Sequence, residues 1–150
     1  GLDGITSPIP HASISQTVGG LVAGKQYKVG FYWGNTQLQN RTGTTTEQLQ
    51  VSLGSQSFST PISTVLTHAW SGWFYQTFTF TAGSSAGSDL LSFLSIGTPN
   101  SLPPFALLAG VTMYAVPEPP VLAMFGGGLL GLGLLTLYTR RRKERREAEA

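Results

Sequence analysis

The fold of this chain is most clearly indicated by the stretch Lys25-Gln26-Tyr27-Lys28-Val29-Gly30-Phe31-Tyr32-Trp33. Its large apolar residues fall on every second position, so an extended chain places them on one face and Lys28 and Tyr32 on the other. This alternation predicts a β-strand that buries one face. The residues of the predicted buried face are Tyr27, Val29, Phe31 and Trp33.

The same pattern recurs along the first three quarters of the chain. Residues 47–53 and 74–81 alternate in the same way, and Gly54-Ser55 predicts a tight turn that joins 47–53 to a second hairpin strand at 56–60. Glycine- and proline-containing turns separate these runs. About seven short strands, each with one polar face, predict an all-β domain, an antiparallel jelly roll or β-sandwich. The remaining strand-like runs are 13–21, 90–96 and 105–116.

The C-terminal segment has a different character. After Val116-Pro117-Glu118-Pro119, no charged residue occurs up to Thr139. As a helix, at ~1.5 Å per residue, this run would be about 31 Å long, close to the roughly 30 Å of a bilayer's hydrocarbon core. It predicts a single transmembrane helix at 120–139, in contact with lipid, followed by a basic tail at 140–150 on the cytoplasmic side. The basic cluster comprises Arg140, Arg141, Arg142, Lys143, Arg145 and Arg146.

Two prolines flank an acidic residue just before this run. Pro117 and Pro119 fix φ and favour extended geometry at Glu118, so the tripeptide is stiff and has a shape that an enzyme could grip. The alternative is that the prolines merely end the preceding strand. Within the apolar run, Gly127 and Gly131 have the G-x-x-x-G spacing that permits close helix packing, against another copy or a processing enzyme.

This order of a V-P-E-P motif, an apolar helix and an arginine block resembles the C-terminal sorting signal of the PEP-CTERM proteins. The resemblance covers 116–146 and implies an exosortase partner, a multi-spanning membrane protease/transpeptidase of Gram-negative bacteria. It implies processing near Pro117, Glu118 and Pro119 and a link to exopolysaccharide or biofilm. The protein would pass through the inner membrane with a periplasmic ectodomain, then reach the cell surface or the exterior. Since the chain continues past the cluster to Ala150, a permanently tail-anchored membrane protein is the alternative.

The segment before the tail resembles the galactose-binding-like jelly rolls found ahead of such signals. The resemblance is carried by Gln16-Thr17-Val18-Gly19-Gly20-Leu21, Ser71-Gly72-Trp73 and Phe78-Thr79-Phe80-Thr81. It gives a domain plan of an ectodomain at 1–116, a motif and linker at 117–119, then the helix and tail. The chain begins at Gly1 without a signal-peptide pattern, so we expect that this ectodomain lacks its N-terminal part.

Charge and composition argue against several functions. Three basic and three acidic residues cancel within 1–116, so the net charge of +2 arises from residues 117–150 and nucleic-acid binding is not expected. The chain has no cysteine, and its two histidines lie far apart in sequence, so we expect no metal and no cofactor. The sequence has no G-x-S-x-G elbow, and its sparse acids at 3, 47 and 89 offer no motif for a carboxylate pair, so we expect no catalytic residues and no enzymatic activity.

Carbohydrate binding is the ligand hypothesis that the residues favour. His68-Ala69-Trp70-Ser71-Gly72-Trp73-Phe74-Tyr75 concentrates aromatic rings, whose flat faces stack on sugars. We predict glycan contacts from Trp70, Tyr75, Gln37 and Arg41, with Trp33, Trp73 and Phe74 in the core. Two functions therefore stand side by side: a sorted, non-catalytic surface or matrix protein, and a carbohydrate-binding module at the cell surface.

Overall fold

A computed structural model of the chain describes residues 1–4, 11–83, 87–100 and 104–118. The chain divides into two compact units, Gly1–Val116 and Pro117–Ala150, and nearly all described residues belong to the first. Within the described ranges no helix is long and apolar enough to cross a membrane. Three predicted features lie outside the described residues: Pro119, the helix at 120–139 with Gly127 and Gly131, and the tail at 140–150 with its basic cluster.

The first unit is built from β-strands throughout its described part. The strands are β1 (Leu2–Asp3), β2 (Ser13–Gly19), β3 (Gln26–Gln37), β4 (Thr45–Leu53), β5 (Gln56–Ser59), β6 (Ser63–Val65), β7 (Phe74–Thr81), β8 (Ser88–Thr98) and β9 (Pro104–Ala115).

These strands form two antiparallel sheets packed face to face. The four-stranded sheet has the order β1-β9-β3-β7, and the five-stranded sheet has the order β2-β8-β4-β5, with β6 paired to β4. Successive strands cross between the sheets from β1 to β4 and again from β7 to β9, which is the double Greek-key path of a jelly roll. The predicted all-β antiparallel sandwich is confirmed.

The core lies between the sheets and is formed by the alternating faces that the sequence indicates. Val29 and Phe31 from β3 and Leu49 and Val51 from β4 have no exposed surface. The ring of Phe31 meets that of Phe93 edge to face, with centroids 5.2 Å apart, a geometry that adds to simple area burial. Trp33 is only 2% exposed, so its predicted place in the core is confirmed.

A β-bulge interrupts the pairing of β9 with β3. The register shifts between Gly30 and Tyr32 of β3, and Gly110 on β9 has φ +59°. Because two residues of β9 face one residue of β3 here, the alternation of inward and outward side chains changes phase. Leu108 before the bulge and Met113 beyond it consequently both pack against the core.

The prediction that Trp73 and Phe74 lie in the core is wrong. Trp73 precedes β7 and is 48% exposed, and Phe74, the first residue of β7, is 43% exposed. The physical reason is that β7 is the edge strand of its sheet. The inward-facing Phe74, at the end of this edge strand, has a neighbouring strand on one side only. Trp73 lies one position earlier and is directed to the outer face of the sheet.

Candidate functional site

The outer face of the four-stranded sheet carries a group of exposed aromatic side chains. Each is exposed between 47% (Tyr32) and 56% (Tyr75), which is high for residues of this size. We call this group the aromatic strip, and its members are Tyr32, Trp70, Trp73 and Tyr75. It unites the two aromatic residues predicted as glycan contacts, Trp70 and Tyr75, with two that were not predicted to be there.

The strip consists of two ring pairs. Tyr32 on β3 lies directly opposite Tyr75 on β7, and their ring centroids are 5.0 Å apart. Trp70 and Trp73 meet edge to face at 6.2 Å. The strip therefore presents ring faces together with phenol and indole donors to one side of the molecule.

Two glycines of β3 leave room for these rings against the sheet. A Cβ at Gly30 would lie 2.6 Å from the Tyr75 hydroxyl oxygen. A Cβ at Gly34 would lie 2.6 Å from the carbonyl oxygen of Gly72 and 3.2 Å from Nε1 of Trp70. Real Cβ atoms do not show contacts as short as 2.6 Å, so a side chain at position 30 would displace the Tyr75 hydroxyl, and one at position 34 would displace the backbone of the loop that carries Trp70.

The loop that carries Trp70 is fastened to the end of β3. Thr36 forms an isolated antiparallel bridge with Trp70. The Asn35 amide donates to the Ser71 hydroxyl at 2.8 Å, and the Ser71 amide donates to the Asn35 carbonyl at 2.9 Å. These bonds hold the indole in place by backbone contacts that do not depend on a ligand.

Gln37 supports this loop and does not face a ligand, which corrects its predicted role as a glycan contact. It is buried; its side-chain Nε2 donates to the Gly43 carbonyl at 3.1 Å, and its Oε1 accepts from the His68 amide at 3.1 Å. His68 has φ +57°, a conformation that a non-glycine residue adopts only where neighbours impose it. Arg41, the other predicted polar contact, is exposed in the loop after β3.

A pocket opens on the other side of β7, between this strand and the connection from β5 to β6. Its volume is about 310 Å³. Trp33 lies in its lining and packs against Phe74 with ring centroids 5.4 Å apart. Tyr75 also borders it, so the pocket adjoins the aromatic strip, and none of its lining residues is charged. The other lining residues are Pro61, Ile62, Ser63 and Gln76.

Glu47 is a buried carboxyl away from the strip. Burial raises its pKa from the usual 4.5 to about 7, while hydrogen bonds from Ser95 and from backbone amides work in the opposite direction. Its Oε1 accepts from the Gln48 amide at 3.0 Å, and its Oε2 has no hydrogen-bond partner among the described residues. Among the residues that the structure describes, no group of three His, Cys, Asp or Glu side chains is placed to hold a metal ion.

The start of the predicted sorting motif is exposed. The Val116 amide donates to the Gln26 carbonyl at 2.8 Å, which ends the pairing of β9 with β3. Pro117 and Glu118 follow and are both exposed.

Comparisons with known proteins find partial similarities among solved structures. The tailspike protein 4 enzymatically active domain of bacteriophage CBA120 matches at 13% identity and TM-score 0.38, over 70% of this chain and 14% of that chain. A CBM4 structure matches at 22% identity and TM-score 0.40, over 71% and 62%. A family 16 carbohydrate-binding module matches at 18% identity and TM-score 0.37, over 69% of each chain. The chain thus spans less than two thirds of the first two. No protein-family model matches it, and no curated protein does.

The strip could have been anticipated in part from the sequence. The outward positions of β3 hold Lys28, Gly30, Tyr32 and Gly34, so glycine occurs twice in a strand otherwise rich in large residues. A glycine inside a strand often marks a close approach by another group. What the pattern does not indicate is which group approaches, because Trp70 reaches Gly34 through a loop and not through a paired strand.

Proposed function

We propose that residues 1–116 form a non-catalytic carbohydrate-binding module, and that the aromatic strip is its glycan-contacting surface. The observation that carries the proposal is the strip itself: four adjoining aromatic side chains, about half exposed, on rigid strands and a fastened loop. A large ring left half in water forgoes part of the stability that full burial would give, and adjoining exposed rings are typical of a binding surface. Rings that present faces and hydroxyl or N–H tips are suited to pyranose sugars, which have apolar faces and polar edges.

The test is retention of the full chain, in detergent micelles, by polysaccharides in affinity gels. Neutral glycans such as xylan and mixed-linkage glucan, and an acidic one such as alginate, are the probes. Trp70→Ala should weaken retention about tenfold or more, ~1.4 kcal/mol, because it removes one stacking face. Val22→Ala truncates an exposed apolar residue outside the strip and should leave retention unchanged. Equal retention of the Trp70→Ala variant and the parent by every glycan would refute the assigned surface.

We further propose that the C-terminal segment delivers this module to the cell surface, as the PEP-CTERM resemblance implies. An exosortase would process the chain near Pro117, Glu118 and Pro119, and the helix at 120–139 with its basic cluster would hold it in the inner membrane until then. The exposure of Pro117 and Glu118 directly after the last strand supports access by such an enzyme. A surface protein of this kind fits a role in exopolysaccharide or biofilm.

Intact-mass analysis tests the delivery proposal in a Gram-negative host that carries an exosortase. The expected mass ends near residues 117–119, and Glu118→Gln should abolish the cleavage. A parent protein that still contains residues 140–150 would show a permanent tail anchor instead. Glycan retention does not depend on this outcome, so the two proposals fail separately.

A further inference from the structure

The outer face of the four-stranded sheet continues beyond the aromatic strip, towards the start of β3. Residues that lie opposite each other in paired strands point to the same face, so the register gives the side chains that adjoin the strip here. Two rows of three follow the row that holds Tyr32 and Tyr75. Crossing from β9 over β3 to β7, the first row is Thr112, Gly30 and Thr77, and the second is Tyr114, Lys28 and Thr79.

The first row forms a low floor with hydroxyl groups around it. Gly30 has no side chain, and the Tyr75 hydroxyl oxygen lies above it, 2.6 Å from the point where a Cβ would stand. The Thr112 hydroxyl oxygen lies 3.1 Å from the same point and donates to the Gly30 carbonyl at 3.3 Å. Because hydroxyl groups both donate and accept, this row can bond to the hydroxyl groups of a sugar ring.

The second row adds an aromatic ring and a positive charge. Tyr114 is half exposed, as the members of the aromatic strip are. Lys28 lies between Tyr114 and Thr79, and its ammonium group forms no ion pair with any residue that the structure describes. The side chain is half buried, so its apolar stem rests on the sheet while its charged end reaches water. This row therefore offers a cation to a ligand that lies along the strip.

Lys28 is set apart from acidic side chains. In the described strands of its sheet, Asp3 is the other charged residue. Asp3 lies level with Thr36 of β3, eight positions from Lys28, or roughly 26 Å in a strand. Glu118 follows Tyr114 by four residues, about 13 Å in an extended chain. Both separations exceed the roughly 8 Å over which exposed charges act at physiological salt, so an anion at Lys28 meets no nearby carboxylate among these residues.

We propose that Lys28 selects an anionic polysaccharide, by binding a carboxylate or sulfate ester of the same sugar chain that stacks on the aromatic strip. This inference rests on the function proposed for the strip and names its substrate class. A sugar chain that lies along β3 passes over the rings of Tyr32 and Tyr75, then over the hydroxyl row, then over the Lys28 ammonium group. Because a lysine ammonium is a compact point charge, it recognises the charge of the acid group and not its shape.

The test compares sugar chains that share a backbone and differ in charge. Polygalacturonate and its methyl ester are one pair, and dextran sulfate and dextran are the other. Binding to the full chain in detergent micelles is followed by tryptophan fluorescence, which reports the strip because Trp70 and Trp73 belong to it and residues 117–150 contain no tryptophan. Lys28→Gln should weaken binding of the anionic member of a pair about fivefold and leave the neutral member unchanged. A loss with polygalacturonate identifies a carboxylate ligand, and a loss with dextran sulfate identifies a sulfate ester.

Two matched variants serve as controls. Lys28→Arg keeps the positive charge and should bind the anionic member as the parent does. Lys25→Gln removes a charge from the turn before β3, outside the strands of the sheet, and should also bind as the parent does. Contacts between a glycan and the basic cluster of the tail are common to all these variants, so the comparison isolates Lys28.

The proposal is overturned if Lys28→Gln binds both members of each pair as the parent does, or if it weakens both members equally. It is also overturned if Lys25→Gln loses as much affinity as Lys28→Gln, because the charge of the whole domain would then be responsible. Trp70→Ala separates these outcomes from a failure of the strip itself. If Trp70→Ala weakens retention and Lys28→Gln does not, the strip remains the glycan surface and the charge selection alone is wrong. If neither substitution weakens retention, both proposals are wrong.

Discussion

Glu47 is the side chain whose ionisation the fold perturbs most among the described residues. It lies on the inner face of β4 without exposed surface. Its Oε2 lies close to Gly4 and Gly97, and a Cβ added to either glycine would collide with it. A carboxylate removed from water in this way loses its hydration, and this cost is what raises the pKa to about 7.

This raised pKa gives the stability of the domain a defined pH dependence. Because the folded protein binds the Glu47 proton more tightly than the unfolded chain, the contribution to stability is full below pH 4.5 and falls as pH rises towards about 7. The loss is at most about 3 kcal/mol. Glu47→Gln should remove this slope in denaturant unfolding measured from pH 5 to 8. Glu118→Gln, at an exposed carboxyl, should keep it, and an unchanged slope in the Glu47→Gln variant would contradict the assignment.

At the scale of the element, β3 links the core to the aromatic strip. Its inward residues fill the sandwich, while Gly30 and Gly34 on its outer face leave room for Tyr75 and Trp70. The placement of the strip therefore depends on residues that have no side chain of their own.

Gly34→Ala tests this dependence. The added Cβ would lie 2.6 Å from the Gly72 carbonyl oxygen, so the loop that carries Trp70 must move away. Unfolding free energy should fall by about 1–3 kcal/mol, as in other overpacked sites, and tryptophan fluorescence and glycan retention should change together. Gly19→Ala is the matched control, since a Cβ there meets nothing within 4 Å and the strand is already extended. If Gly34→Ala and Gly19→Ala unfold at the same denaturant concentration, the loop accommodates the added Cβ without a loss of stability, which would contradict the prediction.

The strands could be predicted where the alternation was long. β3, β4 and β7 follow the apolar period of two, whereas β6, Ser63–Val65, is too short to show one and was missed. Alternation gives the face of a side chain and not whether another strand covers that face, which is why Phe74 was misplaced. Trp73, its neighbour, lies on the outer face, so the period of two itself separates it from the core. Gln37 was a different error: continuing the alternation from Trp33 through Asn35 puts it on the inner face, where the structure has it.

At the scale of the whole molecule, the described strands and the proposed delivery segment occupy different parts of the chain. Every residue of the core cluster lies between Leu21 and Ala106, and the residues packed against it extend from Leu2 to Met113. The first compact unit ends at Val116, where the last bond to β3 is made. The residues that the sequence predicts to form the sorting motif and the membrane helix all follow Val116.

A chain that ends at Glu118 should therefore fold on its own. We expect one cooperative unfolding transition, a Tm within a few degrees of the full chain's and equal glycan retention, because no core contact is removed. Circular dichroism melts measure the transition and its Tm, and affinity gels measure glycan retention. A chain that ends at Ala109 is the control. It loses the second half of β9, which pairs with the start of β3 and packs Met113 against the core. This shorter chain should therefore not unfold cooperatively. Loss of the transition in the longer truncation would show that residues after 118 contribute to the fold, and the division between module and delivery segment would then be wrong.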